Sequence, residues 1–339
     1  MRVSVIGAGS WGTTVAALLT SNADEVVLWG RRPELAETIN RRHENPDYLP
    51  GQRLPEAVWA TSALSEALEG AEAVVLAVPS HGLRGVLTEA RPFFPAEAPL
   101  VSLAKGLEEG SLLRMTEVVQ DVLGSARTGP VGVLTGPNLA AEVAAGMPTA
   151  SVVAMAEPDC AAWIQRLFMT GTFRVYTNPD VTGCEIAGVL KNVVAIAAGV
   201  AQGLGFGDNA RAALITRGMA ELTRLGVAVG GNPLTFLGLA GIGDLVVTCT
   251  SPLSRNRRVG EALAAGRSLP DILAEMHMVA EGVKSTASVL ALAERAGVEM
   301  PIAEEVQAVM SGTRTPVEGV AALMLREAKA ELHGIRFTP

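Results

Sequence analysis

The chain has 339 residues, of which 49% are hydrophobic, and this can supply two domains with separate cores. A formal net charge of −8 argues against nucleic-acid or anionic-lipid partners, because the surface as a whole repels polyanions. Three widely spaced cysteines and four scattered histidines predict no disulfide framework and no metal site. With no signal-like leader and no apolar run near the roughly 20 residues of a membrane span, the expected location is cytoplasmic, without membrane insertion.

The first half of the sequence alternates apolar strand patterns with helical patterns. The predicted strands are residues 3–6, 25–29, 73–78, 100–103, 131–134, 150–155 and 173–176. Near-continuous apolar strands between helices are typical of a parallel sheet covered on both faces. The sequence therefore predicts an α/β fold with an N-terminal doubly wound Rossmann-type parallel sheet, a dinucleotide-binding domain over residues 1–179.

Beyond residue 179 the strand patterns stop. Helical patterns follow one another at residues 181–201, 209–225, 254–265, 282–295 and 302–310. They predict an all-helical C-terminal domain over residues 180–339 that supplies the substrate-binding and catalytic residues. The cleft between the two domains is the expected place of the active site, since such clefts commonly hold ligands.

A glycine-rich turn follows the first predicted strand. Residues 7–12, GAGSWG, fit GxGxxG between a strand and a helix, the context that marks a dinucleotide-binding turn. Gly7 allows the tight turn, Gly9 the approach of a pyrophosphate, and Gly12 the close packing of helix on strand. The N–H groups of the helix start face the phosphates. An ordinary strand–helix turn is the alternative.

Two arginines follow the second predicted strand. Arg31 and Arg32 lie about 20 residues after the first glycine, where an NAD-binding fold carries Asp or Glu. Two guanidinium groups suit a ribose 2′-phosphate instead. The sequence therefore favours NADP as the cofactor, with NAD also used; a solvated basic corner is the alternative.

Lys191 is the one charged residue in the apolar stretch 186–197. A helix that is apolar nearly all round is a buried helix, and Gly188, Asn192 and Ala195 share the face of Lys191. An unpaired ammonium in such a place is costly and exchanges protons more readily near neutral pH, which predicts a catalytic acid–base. The alternative is a structural lysine paired with a carboxylate.

Further polar residues indicate an anion site. Lys105 follows an apolar strand pattern, at the carboxyl end where ligands bind in open α/β sheets. Ser254 is a plausible helix N-cap, and Arg255 beside it completes an anion pocket. Asp244 lies in a glycine-rich turn and either accepts a hydrogen bond from a substrate hydroxyl or caps a helix.

Taken together, several segments resemble the bacterial NAD(P)-dependent glycerol-3-phosphate dehydrogenase family nearly end to end. They are GAGSWGT at 7–13, NPDYLPG at 45–51, LTGPNLAAEV at 134–143, VLKNVVAIAAG at 189–199, NARAALITRG at 209–218 and AGIGDLVVTCTSPLSRNRRVG at 240–260. The last three are long and specific, more so than the glycine turn.

The resemblance implies a role for individual residues. It implies Lys191 as the proton donor to the ketone. Around glycerol 3-phosphate it implies Lys105, Gly136, Asn138, Lys191, Asp244, Ser254, Arg255 and Asn256. Around the cofactor, besides the glycines, it implies Ser10, Trp11, Arg31, Arg32, Lys105, Ala140, Arg255, Val279 and Glu281, with His43 and Tyr48 as weaker candidates. Asn138 departs from the family, which usually has Ser or Thr there.

The implied reaction is hydride transfer between NAD(P)H and C2 of dihydroxyacetone phosphate, giving sn-glycerol 3-phosphate for phospholipid synthesis. The family also implies a homodimer. Two alternatives stay open. One is a β-hydroxy acid dehydrogenase of the 6-phosphogluconate or 3-hydroxyisobutyrate type, which shares the glycine turn and a helical lysine. The other is a non-catalytic NAD(P)-sensing regulator.

Overall fold

The computed structural model describes residues 1–124, 127–276 and 280–331. The chain forms two compact units. Unit 1 comprises Met1–Lys105 and Leu113–Val181. Unit 2 comprises Gly106–Leu112 and the chain from Thr182 onward.

Unit 1 contains the strands of the described chain. They are β1 (Arg2–Ile6), β2 (Glu25–Trp29), β3 (Glu44–Asn45), β4 (Leu49–Arg53), β5 (Val58–Thr61), β6 (Ala73–Leu76), β7 (Leu100–Ser102), β8 (Val131–Thr135), β9 (Thr149–Ala154) and β10 (Phe173–Asn178). Eight of them form one sheet in the order β10-β9-β8-β7-β6-β1-β2-β5, and β3 pairs with β4 in a separate hairpin. The predicted fold class is confirmed.

The sheet departs from the prediction at one edge. β8 and β9 pair antiparallel, whereas β9 and β10 pair parallel, so the last two strands run against the other six. Between β8 and β9 the chain forms only one helix of five residues, Ala140–Ala144. A helix of that length spans roughly 8 Å, too little to return along a strand of roughly 16 Å and begin a parallel neighbour. The predicted parallel sheet therefore contains one antiparallel pair, β8 with β9.

Helices cover both faces of this sheet. In unit 1 they are α1 (Ser10–Leu19), α2 (Pro33–Arg42), α3 (Leu64–Leu68), α4 (Ser80–Ala90), α5 (Met115–Leu123), α6 (Ala140–Ala144) and α7 (Pro158–Phe168), with a 3₁₀ turn at Arg91–Phe93. Alternate residues of β1 enter different cores: Val3 and Val5 pack with α1, α2 and α7, whereas Ile6 packs with α3, α4 and α5. Burial on both faces explains why the strand patterns are continuously apolar.

Unit 2 is helical in its described part. Its helices are α8 (Val181–Gly203), α9 (Asp208–Ala228), α10 (Pro233–Phe236), α11 (Asp244–Thr250), α12 (Arg255–Ala264), α13 (Leu269–Glu275), α14 (Glu281–Ala296), α15 (Pro301–Met310) and α16 (Pro316–Met324), with a π-helical turn at Leu239–Gly243. α8 is buried along most of its length, which agrees with its apolar sequence.

Two helical stretches are long and apolar enough to cross a membrane, contrary to the expectation from the sequence. They are Val181–Gly203 and Pro233–Thr250. The apolar window of the first is entirely buried inside the protein, as in a core helix of a globular protein, and that of the second is 44% buried. Length and apolarity are therefore only weak evidence for a membrane span in this chain.

Candidate active site

The glycine turn joins β1 to α1, and close contacts exclude side chains from two of its positions. Gly7 has a φ of 126°, and a Cβ there would lie 2.7 Å from the carbonyl carbon of Ala77. A Cβ on Gly12 would overlap the carbonyl oxygen of Gly7. Both positions require glycine, because a side chain on Gly7 would collide with the backbone that follows β6 and one on Gly12 would push α1 away from the turn.

The space around Gly9 is open instead. Its φ is −78°, and no atom lies within 4 Å of the position its Cβ would take. Gly9 is the N-cap of α1 and no side chain caps this helix end. The N–H groups of Ser10 and Trp11 therefore present the positive end of the helix dipole. This open cradle fits the pyrophosphate of a dinucleotide cofactor.

Trp11 carries an unsatisfied polar atom. Its Nε1 is buried and has no hydrogen-bond partner among the described residues, while its ring packs 6.4 Å from that of Phe173, centroid to centroid. Buried donors are rarely left without an acceptor. A polar atom of a bound ligand would satisfy this one.

The basic corner after β2 consists of Arg31 and Arg32, and one of the two already has partners within the protein. Arg31 is exposed. Arg32 donates from Nη2 to Oδ2 of Asp47 at 2.6 Å, and its guanidinium carbon lies 5.7 Å from the centroid of the Tyr48 ring. His43 ends α2 with a φ of 50°, and its Nδ1 is buried without a partner in the described chain.

A second polar group lies at the ends of β7 and β8. Lys105 donates from Nζ to the carbonyl oxygen of Gly136 at 3.1 Å. Asn138 donates from Nδ2 to Oγ of Ser151 at 3.0 Å, while its Oδ1 is buried without a partner in the described residues. The asparagine thus leaves an acceptor for a ligand hydroxyl or amide. Ala140 begins α6, which packs against α1.

In unit 2, Lys191 lies at the middle of α8 and is paired. Its Nζ lies 2.5 Å from Oδ1 of Asp244 and 2.9 Å from Oγ1 of Thr248. The Lys191 side chain is 8% exposed and that of Asp244 is 1% exposed. The expectation of an unpaired ammonium was therefore wrong: α11 places a carboxylate against it. An uncompensated buried charge is strongly destabilising, which explains the pairing.

Sequence reasoning missed Thr248. The Thr248 hydroxyl donates a hydrogen bond to the carbonyl oxygen of Asp244 at 2.6 Å. A lone pair of the same oxygen therefore accepts a hydrogen bond from the ammonium of Lys191. The spacing contains a signal, because residues four apart share one face of a helix. Asp244 is the first residue of α11 rather than its N-cap, which is Gly243.

Two glycines hold α12 against α8. A Cβ on Gly199 would overlap the carbonyl oxygen of Arg257, and one on Gly260 would overlap that of Ile196. The backbones of the two helices therefore approach more closely than side chains allow. This contact fixes the start of α12 relative to α8, the helix that carries Lys191.

A buried amide chain links three helices of unit 2. Asn256 donates from Nδ2 to Oδ1 of Asn192 at 2.8 Å and accepts the N–H of Gly282 at Oδ1, at 2.9 Å. Asn192 follows Lys191 on α8, Asn256 is in the first turn of α12, and Gly282 is in the first turn of α14. Both amide atoms of Asn256 are thus engaged within the protein.

The start of α12 carries a capping serine and an arginine. Ser254 is the N-cap of α12 and accepts the N–H of Arg257, as the sequence predicts. Although Arg255 is exposed, the surrounding protein lowers its pKa by removing hydration, and the charge of Glu281 opposes this shift. A partly dehydrated guanidinium beside helix N–H groups favours an anionic ligand. Val279 lies outside the described residues.

The structure thus brings the expected residues together in two groups, each within one unit. The unit 1 group surrounds the glycine turn, the basic corner and the ends of β7 and β8. The unit 2 group surrounds Lys191, with Asp244, Asn256 and the start of α12.

The comparisons with known proteins agree with one another. Family models of NAD-dependent glycerol-3-phosphate dehydrogenase match residues 2–161 with the N-terminus and residues 180–321 with the C-terminus. A glycerol-3-phosphate dehydrogenase (NAD(P)+) of Sphingopyxis alaskensis is 54% identical over 333 residues, which are 98% of this chain and 99% of that relative. One of Anaeromyxobacter is 52% identical over 332 residues, 98% and 100% of the two chains.

Solved structures give the same result. The crystal structure of a glycerol-3-phosphate dehydrogenase from Coxiella burnetii matches with a TM-score of 0.91 at 38% identity, covering 96% of this chain and 99% of that one. The family resemblance drawn from the sequence motifs is confirmed. The findings support this interpretation over a β-hydroxy acid dehydrogenase or a regulator.

Proposed function

The chain belongs to the NAD-dependent glycerol-3-phosphate dehydrogenase family, and we propose that it interconverts dihydroxyacetone phosphate and sn-glycerol 3-phosphate. NAD(P)H supplies the hydride when bound. In this proposal residues 1–179 bind the cofactor, and residues 180–339 bind the substrate and carry the catalytic lysine. The product is a precursor of membrane phospholipids.

The cofactor is held in the proposal by unit 1. The open space at Gly9 and the uncapped N-terminus of α1 receive the pyrophosphate. Arg31 and Arg32 receive a 2′-phosphate, which favours NADP over NAD while allowing both. The buried Nε1 of Trp11 and Oδ1 of Asn138 support a polar ligand nearby, since both need partners.

The observation that carries the proposal is the buried Lys191–Asp244 pair on α8 and α11. In reduction, the ammonium of Lys191 gives a proton to the ketone oxygen on C2 as it becomes a hydroxyl. In oxidation, the neutral amine of Lys191 accepts the proton of that hydroxyl. Asp244 compensates the positive charge, and Thr248 fixes the direction of Nζ by accepting one of its hydrogens. Such pairing sets the proton donor in place before the substrate arrives.

The substrate phosphate is placed at the start of α12. Ser254 closes this helix end, Arg255 supplies charge, and the first-turn N–H groups supply donors. Asn256 is a further proposed substrate ligand: its bonds to Asn192 and Gly282 orient the amide and leave the second hydrogen of Nδ2 as a donor. Lys105 and Asn138 are further proposed substrate ligands.

A direct assay tests the function. We expect the purified protein to oxidise NADPH, and NADH as well, when dihydroxyacetone phosphate is added, measured by the loss of absorbance of the reduced cofactor. In the reverse direction, sn-glycerol 3-phosphate should support reduction of NADP+, whereas 6-phosphogluconate and 3-hydroxyisobutyrate should not. Cofactor binding without turnover would favour a sensor, and turnover of either hydroxy acid would favour the other dehydrogenase class.

From the family resemblance we also propose that the enzyme is a cytoplasmic homodimer with a small-molecule substrate. Light scattering on the purified protein would give the oligomeric state: a mass near twice the 35.1 kDa of the chain is expected. A monomer that turns over normally would contradict the dimer without affecting the proposed reaction.

A further inference from the structure

The segment NPDYLPG, residues 45–51, is one of those that resemble the family but has no part in the reaction proposed above. In the structure it lies beside the basic corner after β2. Two of its side chains meet Arg32: the carboxylate of Asp47 accepts a hydrogen bond from Nη2 at 2.6 Å, and the ring of Tyr48 lies 5.7 Å from the guanidinium carbon. One of the two proposed 2′-phosphate ligands therefore already has an anionic partner.

This pair is accessible to a ligand. The Arg32 side chain is 52% exposed and that of Asp47 is 45% exposed. Ion pairs in water are weak, because solvent screens the charges and both side chains lose freedom. A phosphate group carries more charge and more acceptor oxygens than a carboxylate, so it can replace Asp47 on the guanidinium. The carboxylate then remains close to the phosphate and repels it.

The position of Asp47 is fixed relative to the glycine turn. Asn45 is fully buried and donates from Nδ2 to the carbonyl oxygen of Ala8 at 3.0 Å and to Oγ1 of Thr13 at 2.8 Å. Its Oδ1 accepts the N–H of Tyr48 at 3.2 Å. The loop that carries Asp47 is thus tied to the turn and helix proposed to hold the pyrophosphate, so the carboxylate is not free to move away from a bound cofactor.

We propose that Asp47 determines cofactor specificity: it competes with the 2′-phosphate for Arg32 and thereby reduces the preference for NADPH over NADH. The proposal rests on the cofactor-binding role of unit 1 in the proposed function. A cofactor with a 2′-hydroxyl leaves the Arg32–Asp47 pair intact, whereas a 2′-phosphate must break it and bear the repulsion. The same corner therefore accepts both cofactors, with a smaller difference than two unpaired arginines would give.

The test is Asp47→Asn, which keeps the size of the side chain and removes its charge. Dissociation constants for NADPH and NADH are measured on the full chain, without substrate, by quenching of tryptophan fluorescence at low ionic strength. We expect NADPH to bind about 5-fold more tightly, a change typical of one exposed charge contact. The dissociation constant for NADH should change by less than about 2-fold. The tighter binding of NADPH should become smaller as salt is added.

Two further variants isolate the cause. Glu34→Gln removes an exposed carboxylate that also acts on Arg32 through space but accepts no hydrogen bond from it; it should change the NADPH-to-NADH ratio by less than about 2-fold. In an Arg32→Ala background, Asp47→Asn should improve NADPH binding by less than in the wild type, because the competition for the guanidinium is gone and only the repulsion between Asp47 and the phosphate remains.

The proposal is overturned if Asp47→Asn leaves the ratio unchanged, if it tightens both cofactors equally, or if its effect on NADPH binding is undiminished without Arg32. These outcomes are separable from failure of the proposed function. A wild-type protein that reduces dihydroxyacetone phosphate while Asp47→Asn has no effect on the ratio would reject only the role of Asp47. A shifted ratio in a protein that turns over no substrate would reject only the reaction.

Discussion

The glycine turn and the lysine site are built in opposite ways. The turn is a contiguous stretch of six residues, from Gly7 to Gly12, and its geometry follows from where side chains are absent. The lysine site joins residues of α8 to residues of α11, α12 and α14, more than 50 positions further along the chain. One is readable as a motif, whereas the other depends on how helices pack.

The two regions also treat polar groups differently. At the turn, N–H groups of α1 are left without a capping side chain, and Nε1 of Trp11 has no partner among the described residues. At the lysine site, the ammonium of Lys191 is bonded to the carboxylate of Asp244, and the amide of Asn256 is bonded to Asn192. The turn therefore has polar groups left for a ligand, whereas the polar groups of the lysine site are already paired within the protein.

The sharpest way to break this comparison is to remove the ammonium. We expect Lys191→Ala to lower turnover by about 10²- to 10⁴-fold, the usual contribution of a positioned acid–base. Fluorescence titration should show an NADPH dissociation constant within about 2-fold of the wild type, because the turn does not use this residue. Lys284→Ala, at an exposed position of α14, is the matched control and should keep full activity. Normal turnover in Lys191→Ala would remove the catalytic role.

Two alanine substitutions in the turn separate folding from binding. Gly12→Ala should lower the free energy of unfolding by about 1–3 kcal/mol, since its Cβ overlaps backbone that cannot move freely. Gly9→Ala should fold normally, because its Cβ meets open space, yet weaken cofactor binding by about 10-fold or more. Denaturant unfolding and cofactor titration measure the two effects. Equal behaviour of the two variants would refute the division of roles.

Glu221 in α9 tests the cost of a buried charge in unit 2 where burial outweighs the opposite charge nearby. Burial raises its pKa from 4.5 to about 7, although the N–H of Ile302 and the charge of Arg224 oppose this. The folded chain therefore holds more protons than the unfolded chain between these values. The stability that Glu221 contributes is present below pH 4.5 and is lost as the pH rises through about 7.

Glu221→Gln removes this titration while keeping an acceptor for Ile302. Its free energy of unfolding relative to the wild type should increase by about 2 kcal/mol between pH 5 and pH 8, measured by denaturant unfolding. Glu294→Gln, at an exposed position of α14, is the control and should give a difference that hardly varies with pH. A flat difference for Glu221→Gln as well would contradict the raised pKa.

The smallest effect is expected for the amide chain. Asn256→Ala removes two buried hydrogen bonds and should cost about 1–2 kcal/mol of stability, with a rise in KM for dihydroxyacetone phosphate larger than the fall in kcat. If Asn256 acts by position, Asn192→Ala should raise KM similarly, and the double variant should be no worse than either single one. Additive losses would instead indicate that Asn256 contacts the substrate itself.

Sequence patterns predicted much of the fold and part of the site. Each central strand of the sheet lies where an apolar run predicts it, because burial on both faces leaves a continuous signal. The short edge strand β5 was missed, since it has four residues and an exposed Trp59 at its centre. The direction of β9 was also missed, because it depends on the length of the connection before it and not on the residues within the strand.

In the lysine site, the apolar sequence around Lys191 was enough to predict that this residue is buried, as it is in α8. Its pairing with Asp244, the role of Thr248 and the contact between Asp47 and Arg32 came from the tertiary structure. Periodicity and turn chemistry report interactions between residues close in sequence, so the sequence determined the elements and the glycine turn. Which distant polar groups meet is set by the packing of whole helices and loops, and only the folded chain decides that.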